Sequence, residues 1–161
     1  IAWLIIGGGI HGTYLSHLLV NKVGLNRDDV RVLDPHQTPL ASWNRNATNC
    51  GMRFLRSPAT HNIDIPVLSL YRFAQSPAVK KMAEFIPPYN RPSLSLFQRH
   101  CAHVIHHFRL GELRIAGRAL ALHNNRHSIT AETSVGSIVA RNVILAIGLG
   151  EQRAGLLGRA I

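Results

Sequence analysis

A glycine-rich segment near the start of this chain limits its fold more than any other feature. Residues 7–12 read Gly-Gly-Gly-Ile-His-Gly and fit the pattern GxGxxG. The apolar residues 2–6 before the segment predict a buried parallel strand. Residues 10–23 after it predict a helix, with leucines at helical spacing and Gly24 as the residue that ends it. Residues 30–33 predict a second strand, so the first 34 residues read as a right-handed β-α-β unit.

Each glycine of the pattern has a predicted role if the segment binds a dinucleotide. Gly7 permits the tight turn out of the strand, Gly9 leaves room for a pyrophosphate, and Gly12 lets the helix pack closely on the strand. The start of the helix offers unpaired N–H groups and a partial positive charge to phosphates. Glycine-rich turns are common, so the strand and the helix on either side are what favour this interpretation. The predicted cofactor-binding residues here are Gly7, Gly8, Gly9, Ile10, His11 and Gly12.

An acidic residue lies at the end of the second predicted strand. Asp34 follows Gly12 by 22 residues. A carboxylate at this place can accept hydrogen bonds from the hydroxyls of an adenosine ribose. It would repel a 2′-phosphate, which disfavours NADP at this site. The alternative is that Asp34 only forms the turn before Pro35.

The middle of the chain is expected to contain little regular structure. Residues 35–66 carry four prolines and are predicted to form an irregular, functional loop. Residues 68–74 predict a short helix, and prolines at 87, 88 and 92 predict a second loop. Ser93 is expected to cap a helix that runs to about Phe108. The apolar stripe of that helix consists of Leu94, Phe97, Cys101, Val104, Ile105 and Phe108.

After Gly111 the pattern changes to short strands. They are predicted at residues 113–115, 118–123, 128–132, 137–140 and 142–147, with turns at Asn124-Asn125 and at Gly136. An NAD-binding domain would continue to alternate strands and helices. Short strands followed by a buried strand that ends in Gly148 resemble the layout of flavoproteins of the two-dinucleotide-fold type, in which the terminal glycine approaches the flavin diphosphate. This resemblance favours FAD, and NAD alone stays an open alternative. The expected fold class is α/β, a Rossmann-like parallel sheet with a small antiparallel β-meander, incomplete in this chain.

Several segments, taken in order, resemble one group of flavoproteins. They are residues 5–12, 34–43, 51–58 with His61 after them, 91–94 and 143–148. The chain resembles the flavin-dependent N-hydroxylating monooxygenases that act on lysine or ornithine, and related FAD/NAD(P)-binding proteins, over residues 3–152. The first and last segments occur in many flavoproteins, whereas Ser42-Trp43 and residues 52–57 are more specific.

The resemblance implies roles for residues that the glycine pattern does not reach. Gly7, Gly9, Gly12 and Asp34, with Pro35 beside it, would bind the ADP part of FAD. Trp43 and Arg45 would line the flavin, Gly148 would close over the diphosphate, and Ala119 would hold the adenine through its backbone. NAD(P)H is the implied reductant, but the residues after Gly150 contain no second strand–GxGxxG–helix unit.

From this we expect an incomplete FAD-binding domain over residues 1–152 and a tail over 153–161. The expected function is the FAD-binding part of an NAD(P)H-dependent flavin monooxygenase-like oxidoreductase that acts on a small molecule. No catalytic side chain can be named. The alternative is a truncated, non-catalytic module that binds a dinucleotide.

Composition argues against other classes of partner. The formal charge is +10, but the basic residues are scattered, which disfavours nucleic acid. No apolar run approaches the roughly 18 residues of a membrane span. Two distant cysteines predict no disulfide and a reducing compartment such as the cytoplasm. The spacing of His100, His103 and His107 allows a metal site on one helix, but a solvated histidine face is the favoured interpretation, so no metal is expected.

Overall fold

A computed structural model describes residues 1–148 of the chain. Its strands are β1 (Trp3–Ile6), β2 (Val30–Asp34), β3 (Phe85–Ile86), β4 (Arg91–Pro92), β5 (Arg114–Ala116), β6 (Ala119–Asn124), β7 (Ile129–Thr133), β8 (Gly136–Ala140) and β9 (Asn142–Leu145). Its helices are α1 (Ile10–Asn21), α2 (Ala41–Asn49), α3 (Ser69–Ala74) and α4 (Leu94–His107). The predicted boundary between residues 152 and 153 lies outside the described residues.

A parallel sheet forms the centre of the fold. Its strand order is β5-β2-β1-β9, and each neighbouring pair is parallel. Ile5 of β1 lies opposite Val32 of β2 on one side and Ile144 of β9 on the other. The predicted β-α-β unit and the predicted α/β class are therefore confirmed. Because the strands are parallel, their carboxyl ends meet at one edge of the sheet, where the glycine segment also begins.

The predicted meander is the antiparallel group β6-β7-β8. It packs against the parallel sheet through a small cluster of buried side chains, namely Leu4, Ile6, Leu33, Ala131 and Ala140. Of the five short strands expected after Gly111, the first is the edge strand β5 of the parallel sheet. The meander begins at Ala119, shortly after β5, and β5 pairs with β2.

Helix α1 packs on the sheet through small and polar residues. Its buried residues are Gly12, Thr13, Ser16 and His17, whereas Leu15, Leu18 and Leu19 are only half-buried. The Ser16 hydroxyl donates to the Thr13 carbonyl at 2.8 Å, so its burial leaves no unpaired donor. Small side chains let the helix axis approach the strands closely, and this brings the first turn of α1 to the end of β1.

The expectation of an irregular segment over residues 35–66 is wrong in part, because α2 lies within it. Leu40, which precedes α2, is buried with a left-handed backbone (φ 63°), and its N–H donates to the Gly8 carbonyl at 2.8 Å. No side chain caps the helix. A tertiary contact with the glycine segment thus starts this helix, and no local sequence pattern announces such a contact.

The second predicted loop also contains regular structure. Strands β3 and β4 form a two-stranded antiparallel ribbon in which Phe85 lies opposite Pro92. The helix that follows matches its prediction. Ser93 caps α4 by accepting the Leu96 N–H at 3.3 Å, and the middle of its apolar stripe is fully buried. The short helix predicted over residues 68–74 is α3.

A network of hydrogen-bonded polar side chains lies in the core, away from the glycine segment. His17 Nε2 lies 3.0 Å from Asp64 Oδ1, the Ser69 hydroxyl donates to Asp64 Oδ2, and Ser69 Oγ lies 2.9 Å from His100 Nε2. Both histidines are 0% exposed. The network joins α1, α3 and α4 to the segment that carries Asp64, which explains why part of the long segment before α3 is ordered.

Burial lowers the pKa of His100 to about 4, with nearby Asp64 opposing the shift and His103 adding to it. The unfolded chain therefore binds a proton at His100 where the folded chain does not. Stability from neutral His100 is complete above the unfolded pKa and is lost as the pH falls from about 6.5 toward 4.

We expect His100→Gln, which keeps a hydrogen-bonding group near Ser69, to flatten this part of the stability profile. Urea unfolding at about pH 7.5 and pH 5 measures the effect. The control is His106→Gln, on the exposed face of α4. If the free energy of unfolding changed equally with pH in His100→Gln and in the wild type, the lowered pKa of His100 would be contradicted.

Among the described residues, no helix is both long and apolar enough to cross a membrane.

Candidate dinucleotide-binding site

The glycine segment turns away from the sheet at the carboxyl end of β1. Gly7 has φ +110°, and its N–H donates to the Leu33 carbonyl at 2.8 Å. A Cβ at Gly7 would lie 2.4 Å from the carbonyl oxygen of Ala146, just beyond β9. Glycine is therefore required at this position for two reasons, the positive φ of the backbone and the close approach of a neighbouring strand.

Gly12 is the contact between α1 and the turn. A Cβ at Gly12 would lie 1.8 Å from the Gly7 carbonyl oxygen and 2.9 Å from its carbonyl carbon. The predicted role of close helix–strand packing is thus evident in the geometry. The obstacle is backbone held by the sheet, so it cannot move aside as a flexible side chain would.

Gly9 differs from both, because the space beside it is open. It precedes α1 with an extended backbone (φ −75°, ψ −164°), and a Cβ there would have no atom of residues 1–148 within 4 Å. Within the same residues no side chain caps α1, and its first turn contains no acidic residue. The first N–H groups of a helix lack intrahelical partners and carry partial positive charge. The open space beside Gly9 therefore adjoins a group of donors suited to an anion.

Asp34 ends β2 beside this turn and is held by several hydrogen bonds. Its Oδ2 accepts the Gly8 N–H at 2.7 Å. Its Oδ1 accepts the His36 N–H at 2.9 Å and lies 2.9 Å from His36 Nδ1. Burial favours the neutral acid, but the hydrogen bonds from Gly8 and His36, with the charge of Arg114, outweigh it and lower the pKa of Asp34. An ionised carboxylate that can accept hydrogen bonds from a diol is thus present at the predicted place.

Arg114 also belongs to this group, and the sequence analysis missed it. Its Nη2 lies 3.5 Å from Asp34 Oδ1 and donates to the His36 carbonyl. It begins β5, which pairs with β2, so the sheet places it beside a residue 80 positions earlier. The one available signal was a basic residue at the start of a predicted strand, which says nothing about which strand lies alongside.

The remaining predicted site residues lie around the same edge of the sheet. The Gly117 N–H donates to the Asp34 carbonyl at 3.0 Å, so Ala119, the first residue of β6, follows close behind. Pro35 is exposed beside Asp34, and Gly148 is exposed beyond β9 with φ +62°. The other two predicted residues are Trp43 and Arg45.

Helix α2 carries both of these residues and starts at Leu40, which bonds to Gly8. Trp43 is half-buried with its ring 5.2 Å from that of Phe97, and Arg45 is exposed. The flavin-lining roles that the resemblance implies for these two residues stay predictions.

A groove in the surface lies outside this site. This open groove of about 960 Å³ lies between residues 38–44 and α4 and is lined by Thr38, Asn44, Gln98 and Ile105 among others. Neither the glycine segment nor Asp34 lines it. The described residues contain no group of three or more potential metal ligands. His100 is buried against Ser69, whereas His103 and His107 are exposed.

The two cysteines are free, Cys50 exposed and Cys101 buried. Burial raises the pKa of the Cys101 thiol well above its usual value, so it stays protonated.

No model of a known protein family matches the chain, and no curated protein matches it. Among solved structures, the bacillithiol disulfide reductase of Bacillus cereus is similar with a TM-score of 0.60 and 17% identity, over 91% of this chain and 39% of the reductase.

Two further structures show the same likeness. A cyclohexanone monooxygenase mutant of Rhodococcus sp. Phi1, bound to NADP⁺, has a TM-score of 0.61 and 18% identity over 91% of this chain and 26% of the enzyme. OTEMO in an FAD-bound form has a TM-score of 0.57 and 15% identity over 91% of this chain and 25% of OTEMO.

These similarities, at low identity, concern the fold. The chain spans between 25% and 39% of the length of the three proteins. They include a monooxygenase and a disulfide reductase, so they support the flavoprotein fold without singling out the N-hydroxylating enzymes. The chain has a Rossmann-type fold similar to that of FAD/NAD(P)-binding flavoproteins and matches only part of the length of each.

Proposed function

We propose that this chain is the FAD-binding part of an NAD(P)H-dependent oxidoreductase similar to the flavin monooxygenases. The observation that carries the proposal is the open space beside Gly9, next to the uncapped start of α1. An ionised carboxylate, Asp34, ends the next strand. The similar structures support the choice of cofactor, because one of them was solved with FAD and another with NADP⁺.

The residues present fit such a cofactor. The N–H groups of Ile10, His11 and Gly12 would meet the diphosphate beside Gly9, and Asp34 would accept the ribose hydroxyls. The backbone of Ala119 would hold the adenine. Trp43 and Arg45 would line the flavin, with Gly148 near the diphosphate. When bound, FAD supplies the redox chemistry, and the chain supplies binding and electrostatics.

The reductant and the substrate follow from the resemblance. NAD(P)H would deliver electrons from a second dinucleotide unit, and the substrate would be a small molecule. Ser42-Trp43 and residues 52–57 favour the N-hydroxylating enzymes, whose substrates carry an amine, over other flavin monooxygenases. The two free cysteines suit a reducing compartment such as the cytoplasm.

A visible absorption spectrum tests the proposal. The purified chain is mixed with FAD, the excess is removed by gel filtration, and the spectrum of the protein fraction is recorded. We expect a retained flavin spectrum. A colourless protein that circular dichroism shows to be folded would contradict FAD binding. Calorimetry with NAD⁺ on the same sample then tests the alternative that the site takes NAD alone.

A second candidate is a dinucleotide-binding module without activity of its own. The observation that favours it is the edge strand β9, which pairs with β1 alone within the described residues. Leu145 at this edge is 45% exposed. An open edge favours association with another chain. Retained flavin that NADPH does not reduce, in a sample that forms dimers, would support this candidate.

Replacing Asp34 by asparagine should weaken FAD binding. The amide keeps the shape of the side chain but loses the charge and one acceptor. We expect a loss of about 1–3 kcal/mol of binding free energy, the range for hydrogen bonds with a charged group. Fluorescence titration of FAD measures it, and thermal unfolding shows whether the loss of the Gly8 contact also destabilises the fold. An unaltered dissociation constant would assign Asp34 to the turn alone.

A further inference from the structure

The guanidinium of Arg114 is buried beneath the glycine segment. Its side chain is only 6% exposed. Nη2 donates hydrogen bonds to the His36 carbonyl and to Asp34. In contrast, Nε and Nη1 are buried without a hydrogen-bond partner among the described residues. Burying a charged group with unpaired donors opposes folding. Arg114 therefore calls for an explanation other than its contribution to stability.

Gly8 provides the space that Arg114 occupies. A Cβ at Gly8 would lie 2.3 Å from Arg114 Nη1 and 3.1 Å from Asp34 Cβ. The pattern GxGxxG does not require glycine at its second position. The contact gives a reason for the additional glycine in this chain, since an alanine would compete with the guanidinium.

The two oxygens of Asp34 are used unequally. Oδ1 faces the His36 N–H, the His36 ring and Arg114, whereas Oδ2 accepts one hydrogen bond, from Gly8. A carboxylate offers about four acceptor positions. Occupying Oδ1 with fixed donors holds the carboxylate in one rotation and leaves capacity on Oδ2.

We propose that Arg114 is the positioning residue for the adenosine end of the site. From the space beside Gly8, its guanidinium orients Asp34 and ties the His36 turn to β5. Asp34 is thereby kept ionised, with its carboxylate rotated so that it can accept hydrogen bonds from the ribose hydroxyls. This inference rests on the proposed function, because it assigns Arg114 a role in binding the same dinucleotide.

Among residues 1–148, the charged and titratable groups that contact Asp34 are Arg114, from β5, and His36, from its own turn. The charge of Arg114 acts with the hydrogen bonds to lower the pKa of Asp34. Without Arg114 that pKa should rise. Binding, which needs the ionised carboxylate, should then fail at a higher pH than in the wild type.

The first experiment needs no ligand. The carboxyl carbon of Asp34 is titrated by NMR in the wild type, in Arg114→Met and in Arg126→Met, the last on the exposed hairpin between β6 and β7. We expect a higher Asp34 pKa in Arg114→Met alone. Including His36→Gln in the series distinguishes the effect of the His36 ring on the Asp34 pKa from the effect of the Arg114 guanidinium. An Asp34 titration that is identical in Arg114→Met and the wild type would overturn the inference.

The second experiment uses ADP and FAD as probes, with affinity measured by calorimetry across the acidic range. We expect Arg114→Met to weaken both ligands roughly tenfold or more near neutral pH. The pH below which binding is lost should be higher in this variant than in the wild type. Arg114→Lys should restore much of the pH profile but less of the affinity, since lysine keeps the charge and loses the planar fork.

The outcomes are distinct for the two proposals. Unchanged affinity and pH profile in Arg114→Met, with the wild type binding FAD, would overturn the role of Arg114 and leave the proposed function standing. A wild-type chain that binds neither ligand would overturn the proposed function and the ribose role with it. If Arg114→Met is poorly folded, Gly8→Ala displaces the guanidinium instead, and unaltered binding in that variant would likewise overturn the inference.

Discussion

Gly12→Ala is expected to destabilise the fold strongly, although it adds only one methyl group. The new Cβ would lie 1.8 Å from the Gly7 carbonyl oxygen, far inside contact distance. Gly7 cannot retreat, because its N–H bonds to Leu33 and its Cα already faces the carbonyl of Ala146. Helix α1 would have to move off the sheet.

The expected size of this effect can be bounded. Overpacking a core typically destabilises by about 1–3 kcal/mol, and a clash of the new methyl group with a fixed backbone carbonyl belongs at or above the upper end of that range. Since whole domains are stable by only about 5–15 kcal/mol, such a change is a large fraction of the total. Urea unfolding measures it.

Gly111→Ala is the matched control for Gly12→Ala. Gly111 lies in the 3₁₀ turn Leu110–Leu113, where a Cβ would meet nothing within 4 Å and φ is not positive. We expect this variant to unfold at the wild-type urea concentration or slightly above it. Similar midpoints for the two variants would mean that α1 does not pack on Gly7 as described.

Gly9→Val is expected to have the opposite consequence, a folded chain that does not retain FAD. In the described part of the chain no atom lies within 4 Å of a Cβ at Gly9, and its extended backbone suits a β-branched residue. The loss of glycine before the helix should destabilise by no more than about 1 kcal/mol. The isopropyl group would occupy the space that the diphosphate needs.

We therefore expect FAD affinity to fall at least about a hundredfold, equivalent to ~2.8 kcal/mol. Fluorescence titration gives the affinity, and circular dichroism with thermal unfolding establishes the fold. Gly9→Ala should lie between the wild type and Gly9→Val, because a methyl group fills less of the same space. Tight flavin binding by a folded Gly9→Val would refute the placement of the cofactor beside α1.

Local patterns were sufficient for the first unit of the fold and for the meander. The glycines of residues 7–12 could be assigned roles because each follows from a steric requirement within a few residues of chain. Ser93 and the stripe on α4 were likewise readable, since capping and helical periodicity are local. The helical residues 41–49 could not be found in this way, because their start depends on the bond between Leu40 and Gly8.

The sequence by itself determined that a strand, a glycine turn and a helix follow one another, with Asp34 at the end of the next strand. Only the tertiary structure decided what surrounds them. The order β5-β2-β1-β9 places Arg114 beside Asp34, and the sheet brings Ala146 against Gly7. Strand order and register arise from contacts between residues far apart in the chain, whereas periodicity and glycine spacing report only on neighbours along it.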